Sequence, residues 1–171
     1  MKYCLLIVFS LLTIASCKKV EVPQSKQEKL RASDWRVDTI MITYLDTNGA
    51  DSEIVGAWKR YENGVETYNR PSCYNDDMIK FKENFSGTHV TGAESCVSNE
   101  PNFVDFTWGF RDADTKLYIY GLYNMFGVDV NADVLYFQDE EFSFAYRNKI
   151  KRNSTATDSI TVKTTYKLKK K

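Results

Sequence analysis

A single histidine, His89, and the acidic pair Asp76-Asp77 upstream of it are the obvious residues in this chain for proton chemistry. An imidazole beside a carboxylate is what acid–base or triad hydrolysis requires. The surroundings argue against that use. No serine sits in a G-x-S-x-G elbow, and neither a Gly-rich phosphate loop nor an H-E-x-x-H metal helix occurs. Adjacent strand residues point to opposite faces, so Asp76 and Asp77 cannot easily act on one substrate together. They read instead as turn or strand-start residues that accept backbone hydrogen bonds. Asp129-Val130-Asn131-Ala132-Asp133, with Glu140 further on, spaces oxygen ligands like a calcium loop. Val134, however, stands where such a loop needs glycine, and the flanks look like strands. That segment reads as a polar turn, and so do Asp112 and Asp114. The expectation is a protein with no catalytic residues, no metal and no cofactor.

The cysteines carry a different chemistry. Cys17 closes an apolar run that follows Lys2 and ends in Ala15 and Ser16. A basic start, an apolar core and small residues before the cut make a secretory signal. The apolar run, at about a dozen residues, is short of the roughly 20 that span a bilayer. Ile14-Ala15-Ser16-Cys17 looks like a bacterial lipobox, which implies cleavage before Cys17, a diacylglyceryl thioether on its sulfur and acylation of the new N-terminus. Residues 1–16 are then a signal peptide, and Cys17 is the lipidation site that holds the chain on a membrane. Several acyl chains on one residue give stable anchoring, whereas one gives only marginal binding. A plain secretory signal and an uncleaved anchor are the competing readings. No Asp follows Cys17, which points to the outer membrane, at its periplasmic face or the cell surface.

Of the four cysteines, Cys4 falls in the signal, which leaves Cys73 and Cys96 in the exported part. A pair in an oxidising compartment reads first as a disulfide. It would close a loop of roughly two dozen residues and stabilise by about 3 kcal/mol on the chain-entropy estimate. Catalytic or metal-binding thiols are the sharper alternatives, but there is one histidine and no CxxC.

The elements that must position these residues are strands. The 23 basic and 23 acidic residues balance, so nothing favours nucleic acid or an acidic surface. The lysines from Lys167 to Lys171 read as a solvated tail. Residues 17–29 are polar and contain Pro23, which suggests a flexible tether before a domain over residues 30–171. Short runs rich in β-branched and aromatic residues then alternate with turn signals: Trp35–Tyr44, Ile54–Tyr61, Val65–Tyr68, Met78–Phe81, Thr88–Thr91, Phe103–Phe110, Leu117–Tyr120, Met125–Val130, Val134–Phe137, Phe142–Tyr146 and Ile160–Leu168. Asn48-Gly49, Asn63-Gly64 and Asn84-Phe85-Ser86-Gly87 supply turns. No segment has a helical period of a dozen residues. The pattern predicts an all-β fold, an antiparallel barrel or sandwich of about ten short strands.

Cys73-Tyr74-Asn75-Asp76-Asp77-Met78-Ile79-Lys80-Phe81, followed by Phe85-Ser86-Gly87-Thr88 and Cys96, gives the pattern C-x-x-D-D-x-x-x-F-x-x-x-x-G-T. With Leu30 and Trp35 before it and Trp108-Gly109-Phe110 and Leu117-Tyr118-Ile119 after it, the chain resembles the small lipocalin-like lipoproteins of Gram-negative bacteria. The resemblance covers roughly residues 30–168. It implies an up-and-down β-barrel of about eight strands, a Cys73–Cys96 bridge and a hydrophobic ligand in the cup. On that reading Trp58, Trp108, Phe110, Tyr118 and Tyr120 are the candidate ligand-binding residues, although aromatic residues on strands are more often ordinary core. Two functions follow as expectations. One is a lipid-anchored barrel that binds a small hydrophobic molecule. The other is a structural or interaction lipoprotein that docks on an envelope protein or glycan.

Overall fold

The structure is a computed structural model that describes residues 24–45, 48–59, 76–94, 99–151 and 159–171, without the side chains of 53–59, 150, 151 and 159. Nine antiparallel strands form one sheet: β1 (Asp34–Leu45), β2 (Asp51–Lys59), β3 (Met78–Phe81), β4 (Ser86–Val90), β5 (Phe103–Arg111), β6 (Lys116–Tyr120), β7 (Val130–Phe137), β8 (Glu141–Lys151) and β9 (Ser159–Lys170). From β3 to β9 each strand pairs with the next in sequence. The sheet closes on itself because β1 pairs with β9 from Trp35↔Lys170 to Tyr44↔Val162. The other edge of β1 is divided: β3 takes Asp34 and Trp35, and β2 takes Thr39 to Leu45. The result is an eight-stranded closed barrel with β2 as an added ninth strand. The all-β class and the up-and-down barrel predicted from the sequence are both present.

Alternation sets the two faces. On β9, Val162, Thr164, Tyr166 and Leu168 are buried, while the lysines between them face outward. Those lysines are paired, Lys167 with Glu141 at 2.9 Å and Lys169 with Asp38 at 3.3 Å. A surface pair contributes about 0–1 kcal/mol, whereas Asp38 is buried, so Lys169 compensates a desolvated carboxylate. On β6, Leu117 and Ile119 point inward and Tyr118 and Tyr120 outward. On β5, Phe106, Trp108 and Phe110 enter the interior, while Phe103, Asp105 and Thr107 stay outside.

Helix α1 (Lys26–Arg31) lies across one end of the barrel. The segment Ser25-Lys26-Gln27-Glu28 forms a capping box: the Ser25 hydroxyl accepts from the Glu28 amide, and Glu28 accepts from the Ser25 amide. The described helix thus lies within the segment expected to be a tether, with its cap at Ser25. The helix is tied down at three points. Lys26 Nζ donates to the Asp114 carbonyl at 3.0 Å, Lys29 pairs with Asp139 at 2.6 Å, and the Trp35 indole N–H donates to the Leu30 carbonyl at 2.8 Å. Hydrogen bonds from the Ser25 backbone and hydroxyl hold the Glu28 carboxyl below its usual pKa, and the Lys29 hydrogen bond does the same for Asp139. Depressed carboxylates contribute stability above their unfolded pKa and lose it as pH falls through the folded one. The α1 end is therefore expected to loosen first on acidification below about pH 4. Ser25→Ala should cost about 1 kcal/mol in urea melts at neutral pH. A cost indistinguishable from zero would show that α1 does not contribute to stability.

A second helix, α2 (Tyr123–Phe126), lies at the opposite end, between β6 and β7. Here a strand over Met125–Val130 is expected, and β7 begins only at Val130. Met125 and Phe126 are buried, and Gly127 ends the turn at φ 71°. Four residues of helix leave no period to read, and the left-handed glycine cap is the only local sign.

Candidate functional site

Among the described residues, side chains of the chain itself pack the barrel interior. Trp35, Trp108, Phe142, Phe144 and Tyr166 are each essentially inaccessible to solvent. Their rings meet mostly edge to face: Phe81 with Trp108 at 5.0 Å, Trp108 with Phe110 at 6.1 Å, Phe110 with Phe142 at 6.3 Å and Phe126 with Tyr166 at 4.9 Å. Phe144 and Tyr166 stack in parallel at 5.5 Å. Edge-to-face pairs of this kind each add about 0.5–1.5 kcal/mol beyond area burial. Hydrogen bonds tie α2 to the barrel strands. The Tyr146 and Tyr166 hydroxyls donate to the carbonyls of Phe126 and Met125, both at 3.3 Å. A small barrel has room for either its own side chains or one small ligand. Here the described side chains occupy the space.

The expected ligand-binding residues divide between the two faces. Trp108 is fully buried, and its indole N–H donates to the Ser86 carbonyl at 2.6 Å. Phe110 packs beside it against the core. Both belong to the aromatic cluster of the interior. Tyr118 and Tyr120 do not face the interior at all. Their rings stack on the outer wall at 5.2 Å, because the apolar Leu117 and Ile119 of the same strand take the inward positions. Trp58 pairs with Ile40 in β2, and its side chain lies outside the described ones. Cys17, Cys73 and Cys96 also lie outside the described residues.

Around the outer tyrosines the wall is polar. Tyr118 lies across Gly109, its cross-strand partner, where any Cβ would collide with the ring and its hydroxyl. The Arg111 guanidinium caps the Tyr118 ring at 4.6 Å, an arrangement that favours a flat, fixed ring. Tyr120 donates to Asn131 Oδ1 at 3.1 Å and lies opposite Thr107. Beside it runs a groove of about 530 Å³ bounded by Tyr120, Thr107, Asp105, Ser86 and Lys82.

His89 has a structural role. It and Asp77 are sealed from solvent, and Nε2 lies 2.9 Å from Asp77 Oδ2. The other ring nitrogen lies 3.1 Å from Asn124 Nδ2, which also donates to Glu100 at 3.3 Å. Asp77 Oδ1 accepts from the Gly92 amide, and Asp76 from the Ala93 amide. The acidic pair thus accepts backbone hydrogen bonds, as the sequence suggested. His89 couples β3 and β4 to α2 through Asn124, an arrangement that sequence spacing alone does not reveal. Both of its nitrogens are engaged. Asp129 accepts from the Gly121 amide at 3.1 Å, as a turn residue does. Among the described residues, no three His, Cys, Asp or Glu side chains converge as metal ligands. Asp112, Ala113 and Asp114 form the β5–β6 turn at positive φ.

The fold and these surfaces define a closed antiparallel barrel with a packed aromatic interior. Neither a protein-family model nor a curated protein matches the sequence.

Proposed function

We propose that the chain is a non-enzymatic lipoprotein of lipocalin-like type, held on the outer membrane through lipid on Cys17, whose barrel works by its outer surface. The observation that carries this reading is the occupied interior. Trp35, Trp108, Phe142, Phe144 and Tyr166 fill the space that a hydrophobic ligand would need. The α2 residues Met125 and Phe126 close the end opposite α1. A molecule entering the cup would have to displace packed rings and return their apolar surface to water. The interaction reading therefore takes precedence over the carrier reading expected from the resemblance. Lipidation rests on the sequence around Cys17, and the Cys73–Cys96 bridge on the exported location and the resemblance.

Native mass spectrometry of the full chain purified from its own membranes tests anchorage and filling together. The expected mass is that of the chain from Cys17 onward, with a diacylglyceryl and an acyl group and no further bound molecule. An unprocessed or unlipidated chain would overturn the anchor. A retained small hydrophobic molecule would restore the carrier reading. In parallel, recovery of the tethered protein from membranes should bring down a stoichiometric protein or glycan partner. Enrichment no greater than for a control lipoprotein would count against the interaction reading.

A further inference from the structure

The geometry points to the groove beside Tyr120 as a binding site for a neutral glycan, a deepening that rests on the outer-surface reading above. The groove lies on the outer face of β4, β5 and β6, where the register sets Ser86, Thr107 and Tyr120 in one row across the strands. Thr88 and Asp105 form the next row. The site therefore combines an aromatic ring face, two hydroxyls, a carboxylate and an ammonium group within one small area. A sugar ring offers a matching set, with an apolar C–H face for the aromatic ring and a rim of hydroxyls for the polar groups. Its volume of about 530 Å³ falls within the roughly 300–1,000 Å³ typical of small-ligand sites.

Three features show that these groups are held in place. The Tyr120 ring is fixed on one side by Tyr118 at 5.2 Å and at its hydroxyl by Asn131. Asp105 is oriented by the Thr88 hydroxyl, which donates to Oδ1 at 2.6 Å and itself accepts from Lys82. That leaves the second carboxylate oxygen for a ligand hydroxyl. Gly121, at φ 90°, turns the chain directly after Tyr120 and borders the groove. The single positive and single negative charge, Lys82 and Asp105, offset one another. That balance favours a neutral ligand over an acidic polymer. A purely apolar ligand would take the groove's charged and hydroxyl groups out of water and return no hydrogen bond to them, which costs binding energy.

Isothermal titration of the full lipidated chain provides the test, in a detergent without a sugar head group so that micelles do not compete. The probes are cellotetraose, maltotetraose and chitotetraose at millimolar concentration, with polygalacturonate as the acidic comparison. At least one neutral tetrasaccharide is expected to bind, and Tyr120→Ala and Asp105→Ala should each weaken it by about tenfold or more. Tyr120→Trp, which keeps a ring face, should retain binding. Both positions lie on the outer wall, so thermal melts of the variants should match the parent and exclude misfolding. Failure of all three neutral probes to bind would overturn the site, and so would binding that the variants do not change. Polygalacturonate binding as strong as the neutral probes would overturn the ligand class. A stoichiometric protein partner still recovered from membranes in those cases would leave the outer-surface reading standing and remove only the groove.

Discussion

Trp35→Ala is expected to lower the free energy of unfolding by about 5 kcal/mol, close to the whole stability of a marginal domain. The residue is 1 % exposed and packs edge to face against Phe137 at 6.1 Å and Phe142 at 6.3 Å. It also lies where β1 meets both β3 and β9, since its Cα partners are Ile79 and Lys170. Truncation leaves a cavity at that junction and frees the Leu30 carbonyl. Trp35→Phe separates the two effects. It keeps an aromatic ring and loses the N–H donor, so it should cost about 1–3 kcal/mol, with part of the loss felt as a looser α1. Urea denaturation followed by far-ultraviolet circular dichroism measures both. A loss under 1 kcal/mol for Trp35→Ala would mean that the interior can repack without one of its buried tryptophans.

Asp77→Ala should cost about 3–5 kcal/mol, because it removes one member of a buried, hydrogen-bonded pair and leaves the other stranded. The stranded groups are the His89 imidazole, which is 0 % exposed, and the Gly92 amide. His89→Ala should have a comparable effect, by leaving the Asp77 carboxylate buried with the Gly92 amide as its remaining hydrogen bond. Because Asn124 joins His89 to α2, both variants should also speed hydrogen exchange at the Phe126 and Gly127 amides, which close the α2 turn. Asn124→Ala should reproduce the faster exchange at a smaller cost in stability. Unchanged exchange at α2 in all three variants would show that the helix is held by Met125 and Phe126 alone.

Most of the barrel is legible in the chain because a strand writes its two faces at a period of two. Leu117-Tyr118-Ile119-Tyr120 shows this most plainly. The same four residues also place the two tyrosines on the outer wall. The aliphatic pair marks the inward face, so the tyrosines had to lie outside, and a cup lined by Tyr118 and Tyr120 conflicts with the pattern that predicts the strand. Trp108 and Phe110 face inward as an alternating reading places them, but alternation does not tell a filled interior from an open one. That depends on the sum of side-chain volumes meeting from eight strands. The α1 boundary was legible in the S-x-x-E spacing of Ser25 and Glu28, a sign outweighed by the polar composition around it. The four-residue α2 carried almost no local signal. The bond between His89 and Asp77 depends on the β3–β4 register, which pairs Ile79 with His89, and register is a product of the whole sheet.

The pairing of β1 with β9 sets the order of events in folding. Trp35 and Lys170 stand almost a whole domain apart along the chain, yet they are neighbours across the seam. The hairpins from β3 to β9 can zip together locally, but the ring cannot be completed until the last strand reaches the first. Closure therefore carries a long-loop entropy and is the slow step expected of non-local sheet topologies. Before it occurs, β1 and β9 present open edges, with Val37, Ile40 and Ile42 on the first and Val162 and Leu168 on the second. Such edges pair readily with other chains. The alternating lysines of β9 sit on the strand that joins last, where charge keeps the unpaired form soluble until it docks.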